Sequence, residues 1–321
     1  MTAPLFPLAG RRVWIAGHKG MVGSALVRRL AAEQCEILTA DRAALDLRDQ
    51  AAVNAWVAAH KPEAVFLAAA RVGGILANSS APADFLFDNL AIALNVIEAA
   101  RHGGVAKLLY LGSSCIYPKF APQPIPEDAL LSGALEPTHE AYAIAKIAGL
   151  KMAQAYRRQH GCDFISAMPT NLYGPGDNFD PVTSHVLPAL MRKTHEARLR
   201  GDAVLTIWGT GTPRREFLHV DDCADALVFL MKTYSGDGHI NVGAGKDTTI
   251  LELTRMMAEV TGFAGEIRTD PSKPDGTPRK LMDSSRLNAM GWRPRIALKD
   301  GIAATYRWFL EHHAEARGMG A

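Results

Sequence analysis

Apolar positions along the first half of the chain alternate between short unbroken runs and longer spaced ones. Residues 13–16 (Val-Trp-Ile-Ala) are one such run and read as a buried strand. Residues 21–32 follow, with Val22, Leu26 and Leu30 at i, i+4 and i+8, the apolar stripe of a helix. The same rhythm places further strands at 36–39, 64–68, 107–111 and 163–168, with helices at 51–60, 85–100 and 142–160. Strands alternating with helices predict βαβ units and a parallel sheet, doubly wound because crossovers are right-handed. After about Asn171 the texture changes. Gly, Pro and Asn cluster at 173–181 and 209–213, and 270–280 is a polar Pro/Gly segment, so all three are expected as loops. Loops of this kind on a rigid scaffold tend to carry ligand contacts. The expected fold class is α/β, a doubly wound parallel sheet with a smaller C-terminal substrate domain. The sheet domain takes residues 1–172 and, after a return near 219–242, residues 216–243. The substrate domain takes 173–215 and 244–321.

Composition narrows the function classes. The 321 residues are 48% hydrophobic and 21% charged, which suits a packed core rather than disorder. Thirty-five Lys+Arg against 33 Asp+Glu leave a net charge of +2, with no strong field for nucleic acid or membrane. No uncharged apolar run reaches the ~18 residues of a membrane span. The basic pair Arg11–Arg12 follows the apolar N-terminal residues, the reverse of a secretory signal. Cys35, Cys115, Cys162 and Cys223 form no C-x-x-C, so neither a metal site nor a disulfide framework is expected. These features predict a cytoplasmic protein.

Gly17, Gly20 and Gly23 form G-x-x-G-x-x-G between the first strand and helix. Such a turn lets backbone N–H groups and a helix N-terminus face a diphosphate, the Rossmann-type arrangement. Lys19 and Arg42 could hold the 2′-phosphate of NADP. Asp41 points the other way, since a carboxylate there accepts a ribose 2′-OH and repels a phosphate. Asp46 stands within reach of an adenine. Gly245-Lys246 does not complete a P-loop, because Ile240 and Asp247 occupy its glycine and hydroxyl positions.

Tyr142 and Lys146 lie four apart on one helical face. A nearby ammonium favours a phenolate, so Lys146 is expected to lower the Tyr142 pKa and fit it for proton transfer to a carbonyl oxygen. The strand at 107–111 ends in Gly112-Ser113-Ser114, which supplies a hydroxyl for the same carbonyl. Cys115 comes next, at the C-terminal end of a parallel strand, where such sheets bind ligands. His185 follows the first Gly/Pro-rich loop and has the pKa range for proton shuttling.

Several stretches together are similar to one family, the GDP-L-fucose synthases of the extended short-chain dehydrogenase/reductases. They are residues 15–24, 111–119, 142–149, 168–175, 184–190, 215–222 and 275–280, and Ser-Ser-Cys-Ile-Tyr-Pro-Lys with His185 downstream is the most specific. The resemblance spans about Arg12 to Leu310. It implies NADP(H) as cofactor, a GDP-sugar substrate and a homodimer. Carried over by position, it gives catalytic roles to Ser113, Tyr142, Lys146, Cys115 and His185. It puts the cofactor against Gly17, His18, Lys19, Gly20, Met21, Val22, Gly23, Arg42, Asp46 and Leu47. Leu111, Gly112, Ser114, Lys146, Pro169, Asn171, Leu172 and His185 complete that set. It puts the GDP-sugar against Lys193, Trp208, Arg215, Asp275 and Lys280. Position 193 is Arg in the family's usual pattern, so Lys193 would exchange a bidentate phosphate contact for a point charge.

The implied reaction is epimerisation at C3 and C5 of a 4-keto sugar, then reduction at C4. A C4 ketone acidifies both neighbouring carbons, and Tyr142 and Ser113 are placed to stabilise the enolate oxygen. Cys115 and His185 would exchange the protons. Two other readings stay open at this point. An NDP-sugar 4-epimerase or 4,6-dehydratase would share the glycine turn and Tyr-x-x-x-Lys, retain NAD and need neither Cys115 nor His185. A non-catalytic dinucleotide sensor would need no complete Ser–Tyr–Lys set.

Overall fold

In the computed structural model, which describes residues 5–273 and 275–312, the first apolar run becomes β1 (Arg12–Ala16). Then follow α1 (Met21–Leu30), β2 (Glu36–Leu38), α2 (Gln50–His60), β3 (Ala64–Leu67), α3 (Ile75–Ser80), α4 (Pro82–His102) and β4 (Lys107–Leu111). The chain continues through α5 (Glu140–His160), β5 (Asp163–Pro169), β6 (Asn171–Tyr173), α6 (Val186–Arg200), β7 (Val204–Trp208), β8 (Arg214–His219), α7 (Val220–Thr233) and β9 (Ile240–Val242). It ends with β10 (Asp247–Thr249), α8 (Ile250–Thr261), β11 (Glu266–Asp270), β12 (Arg279–Lys280), α9 (Ser285–Ala289) and α10 (Leu298–His312).

Six strands form one sheet in the order β2-β1-β3-β4-β5-β9, every neighbouring pair parallel. Alternate residues of these strands feed two cores. Trp14, Val65, Leu67, Leu108 and Tyr110 pack under α2, α4 and α5. Val13, Ile15, Phe66, Leu109 and Ile165 pack under α1 and α7. Burial on both faces explains why β1, β3 and β4 read as near-continuous apolar runs. The strand order reverses at β1, so the C-terminal ends of β1 and β3 flank the crevice where sheets of this kind bind ligands.

Beyond Tyr173 the elements differ from expectation. The expected return at 219–242 is made by α7, which packs on the main sheet, and by β9, which joins it. β8 instead centres a second sheet, flanked by β10 and β12 and paired also with β6. Nor is 270–280 wholly loop, because Asp270 ends β11 and Arg279–Lys280 is a strand. α6, α8 and α10 close over Tyr173, Phe179, Leu187, Met191, Leu253 and Phe309. Glu216 joins the two sheets: its carboxylate accepts from Gly245 N at 2.7 Å and Met282 N at 2.9 Å. Burial nevertheless pushes its pKa up.

Candidate functional site

The glycine turn sits between β1 and α1, at the crevice. Gly17 has φ +95°, and a Cβ there would lie 2.7 Å from the backbone of Ala69. A Cβ on Gly23 would lie 2.0 Å from Gly17 O. The turn is therefore tight for its own sake and leaves backbone open toward a diphosphate, so the cradle fits a dinucleotide. His18, Lys19, Gly20, Met21 and Val22 share this turn, while Arg42, Asp46 and Leu47 follow β2. Asp41 is already paired, 2.9 Å from Lys19 Nζ and 3.1 Å from His18 Nε2. Asp46 is held by Arg48 at 2.6 Å, and that hydrogen bond lowers its pKa to about 2. Leu111, Gly112, Ser114 and Pro169 stand where β4 and β5 end. Asn171 and Leu172 lie in β6, and Asn171 Nδ2 donates to Glu216 O at 2.8 Å.

Ser113, Tyr142, Lys146, Cys115 and His185 are brought together beyond β4. Tyr142 and Lys146 share the buried face of α5, as their spacing predicts. Lys146 Nζ donates to Leu111 O at 2.8 Å, and burial lowers its pKa to about 8. The expected effect of Lys146 on the phenol is absent. Burial and the neighbouring Cys115 push the Tyr142 pKa up, against a smaller opposing hydrogen bond with Ser113. A phenol held protonated suits a proton donor to a carbonyl.

Burial alone would raise the Cys115 thiol, but the Lys280 ammonium and then His139 outweigh it and hold the thiol well below its ordinary value. Lys280 Nζ lies 3.7 Å from Cys115 Sγ. His185 caps α6 with its backbone and makes no side-chain cap bond. Its surface is exposed to solvent, yet protein crowds its ring enough to push its pKa down.

A buried polar network fixes the segment that carries Cys115. Tyr117 OH donates to Asn241 Oδ1 at 2.5 Å and lies 2.9 Å from His239 Nε2. Asn241 Nδ2 donates to Ile125 O and Asp283 O, at 3.0 and 3.1 Å. The loop after β4 is thus tied to β9 and to the segment after β12.

The expected sugar-nucleotide residues fall in two groups. Lys193 on α6 hydrogen-bonds Thr206 O of β7, and Trp208 ends the same strand, 62% exposed. Arg215, on β8, is half-buried near Asp275, whose carboxylate accepts from Thr210 N at 2.9 Å. Lys280 pairs in register with Arg215 but sends its side chain to Cys115. Sequence reasoning missed His139. No spacing marks it, because its nearness to Cys115 arises only when α5 packs on β4.

A parallel doubly wound sheet with a glycine turn and a Ser–Tyr–Lys set, its Tyr142 and Lys146 buried, defines a sugar-nucleotide short-chain reductase or epimerase. Residues 13–243 match the NAD dependent epimerase/dehydratase family. A GDP-L-fucose synthase of Sinorhizobium fredii is 58% identical over 97% of this chain and 99% of its own. That of Escherichia coli is 51% identical over 97% and 100%. A GDP-L-fucose synthetase from Naegleria fowleri, solved bound to NADP, superposes with a TM-score of 0.91 at 28% identity, covering 99% and 98%. The chain belongs to the GDP-L-fucose synthase family.

Proposed function

We propose that this chain converts GDP-4-keto-6-deoxy-D-mannose to GDP-L-fucose, by epimerisation at C3 and C5 and NADPH-dependent reduction at C4. The carrying observation is the placement of Cys115 beside Ser113, Tyr142 and Lys146 with the Lys280 Nζ 3.7 Å from its sulfur, a cation that favours the thiolate. A plain 4-reductase or 4-epimerase has no use for a basic sulfur there. The cofactor is NADP(H), and when bound it supplies the hydride for C4. Ser113 and Tyr142 hydrogen-bond the C4 oxygen and stabilise the charge that develops there as a C3 or C5 proton leaves. Cys115 and His185 remove and return those protons. Tyr142 protonates the C4 oxygen during reduction. Lys146 orients the phenol and the nicotinamide ribose.

Gly17, Gly20 and Gly23 with the first turn of α1 hold the diphosphate of the cofactor, and residues 1–172 with 216–243 serve as its domain. Lys193, Trp208, Arg215 and Asp275 hold the GDP-sugar in residues 173–215 and 244–321. Lys and Arg meet its phosphates and Trp208 offers a flat contact for the base. Incubation with GDP-4-keto-6-deoxy-D-mannose and NADPH, with the product identified by NMR, tests the assignment. GDP-L-fucose is expected; a C4-reduced sugar with C3 and C5 unchanged would refute the epimerase half.

The working form is a homodimer. Phe87 and Leu94 on α4 and Ile144 on α5 are 66%, 50% and 44% exposed, an apolar face suited to a second copy. Leu94→Glu should shift the protein to monomer in sedimentation, and a wild-type monomer would sink the idea. No helix among the described residues is long and apolar enough to cross a membrane. All four cysteines are free thiols, which supports a cytoplasmic location.

A further inference from the structure

Lys119 pairs with Glu136 at 3.1 Å and Arg279 with Asp247 at 2.5 Å, so both cations are spent on carboxylates. Lys280 makes no ion pair with a carboxylate among the described residues, and its Nζ lies 3.7 Å from Cys115 Sγ. Both chain segments build this contact. Ser113 Oγ accepts from Cys115 N at 3.3 Å and fixes the turn that bears the sulfur. Further on, Ile125 N donates to Leu281 O at 2.8 Å, Leu281 N to Gln123 Oε1 at 2.9 Å and Asp283 N to Ile125 O at 2.9 Å. The chain that follows Cys115 is thus joined to the chain that follows Lys280, and the amine is brought to the sulfur by the backbone.

The thiolate is the form of sulfur that attacks an electrophile. Burial works against it at Cys115, but the Lys280 ammonium and then His139 hold the thiol well below its ordinary value. Cys115 and Lys280 are both half-buried, so a small oxidant reaches them. No other cysteine is placed to pair with this sulfur. Cys35 and Cys162 directly precede β2 and β5, at the opposite edge of the sheet from the end of β4. The five residues of β4 alone span roughly 16 Å, against the about 7 Å that a disulfide tolerates between Cα atoms. Cys223 is turned from α7 into the core beneath the sheet. An oxidised Cys115 therefore meets an amine before it meets a thiol.

We propose that Cys115 and Lys280 form a reversible redox pair, in which hydrogen peroxide oxidises the sulfur to a sulfenic acid and the neighbouring amine traps it as a sulfur–nitrogen bond. The thiolate attacks one peroxide oxygen, an S–O bond forms and the O–O bond breaks. Sulfur is oxidised by two electrons and peroxide is reduced by the same two. The departing hydroxide takes a proton from the Lys280 ammonium and leaves as water, so oxidation itself produces the neutral amine. That amine attacks the sulfur, the S–N bond forms and the S–OH bond breaks. The hydroxyl leaves with an amine proton as a second water. Two equivalents of a thiol reductant reverse the bond, the first releasing the amine through a mixed disulfide and the second freeing Cys115. A sulfenic acid with no such partner passes on to sulfinic acid, which thiols do not repair, whereas condensation with nitrogen halts that course. The pair goes beyond the reading of the reaction above, since it holds whether or not Cys115 moves substrate protons.

The test exposes the substrate-free wild-type protein to a small molar excess of hydrogen peroxide, then alkylates, digests and maps it by mass spectrometry. A peptide carrying Cys115 should appear joined to one carrying Lys280, lighter by two hydrogens than the reduced pair, and dithiothreitol should separate them. Lys280→Arg keeps a cation beside the sulfur, but its guanidinium stays protonated and cannot attack. In that variant the joined peptide should be absent, and sulfinic acid at Cys115 should rise severalfold at the same peroxide dose. The thiol recovered with dithiothreitol should fall in step. Retained NADPH binding shows that the variant is folded, and the wild-type map decides alone where it is not. A wild-type Cys115 that passes to sulfinic acid with no joined peptide, pairs with another cysteine, or stays reduced while other thiols are oxidised overturns the proposal. So does a folded Lys280→Arg protein that recovers its thiol as fully as the wild type.

Discussion

Lys19 Nζ and Asp41 Oδ2 form an ion pair 2.9 Å long at the mouth of the glycine turn. The two residues that argue for opposite cofactors therefore neutralise each other in part. Arg42, next in the chain, becomes the cation on which a 2′-phosphate depends. Arg42→Ala should raise the KM for NADPH roughly tenfold or more, the cost of a lost charge-assisted bond, and leave kcat nearly unchanged. Asp41→Asn should lower the KM for NADPH more than that for NADH. Steady-state kinetics with both cofactors check this, and a preference for NADH in the wild type would make Asp41 the deciding residue.

Tyr142→Phe keeps the ring that packs edge-on against Phe85 and removes only the hydroxyl. Reduction should fall roughly 10²–10⁴-fold, the scale of a lost general acid, with NADPH binding preserved. Near-normal reduction would remove Tyr142 from the chemistry.

Cys115 should be the first thiol alkylated by iodoacetamide at mildly acidic pH. Burial raises the thiols of Cys35 and Cys162, and that of Cys223 to about 12, so these stay protonated and slow. The lowered Cys115 keeps its thiolate to lower pH, and its reactivity declines only as pH falls through its own depressed value. Mass-spectrometric mapping reads the order, and early labelling of another cysteine would contradict it. Cys115→Ser and His185→Gln should each bind NADPH and lose deuterium wash-in at C3 and C5.

Gly23→Ala should cripple cofactor binding. Its Cβ would meet Gly17 O at 2.0 Å, so the turn must open or the helix must shift. Forced packing of this kind costs about 1–3 kcal/mol. Calorimetry of NADPH binding and thermal unfolding measure it, and a variant as stable and as tight-binding as wild type would contradict the geometry.

The main sheet was legible because β1, β3 and β4 are buried on both faces and their residues have no polar choice. The helix ends were less legible: α4 begins at Pro82, where its first-turn proline suits a start that apolar spacing does not mark. α3 escaped because Gly73-Gly74 and the polar Asn78-Ser79-Ser80 resemble a loop. The strands of the second sheet are two to six residues long, and β6, β10 and β12 around the better-buried β8 are half-exposed, so neither length nor alternation announces them. Glycine spacing and Tyr-x-x-x-Lys are local signals and survive in one dimension. The contact of Cys115 with Lys280 is a product of packing, and Lys280 could be expected near the site without its sulfur partner being visible.

The position of Lys280, so late in the chain, bears on how the protein is made. A polypeptide leaving the ribosome has delivered every strand of the main sheet once Val242 is out. Lys280 is still to come. Until β12 settles beside β8, the sulfur of Cys115 lacks the largest single influence that opposes its burial, the Lys280 ammonium. Without that ammonium nearby, the Cys115 thiol of the nascent chain is less inclined to ionise than in the finished protein. The full activation of this sulfur therefore waits for a residue that is synthesised 165 positions after it.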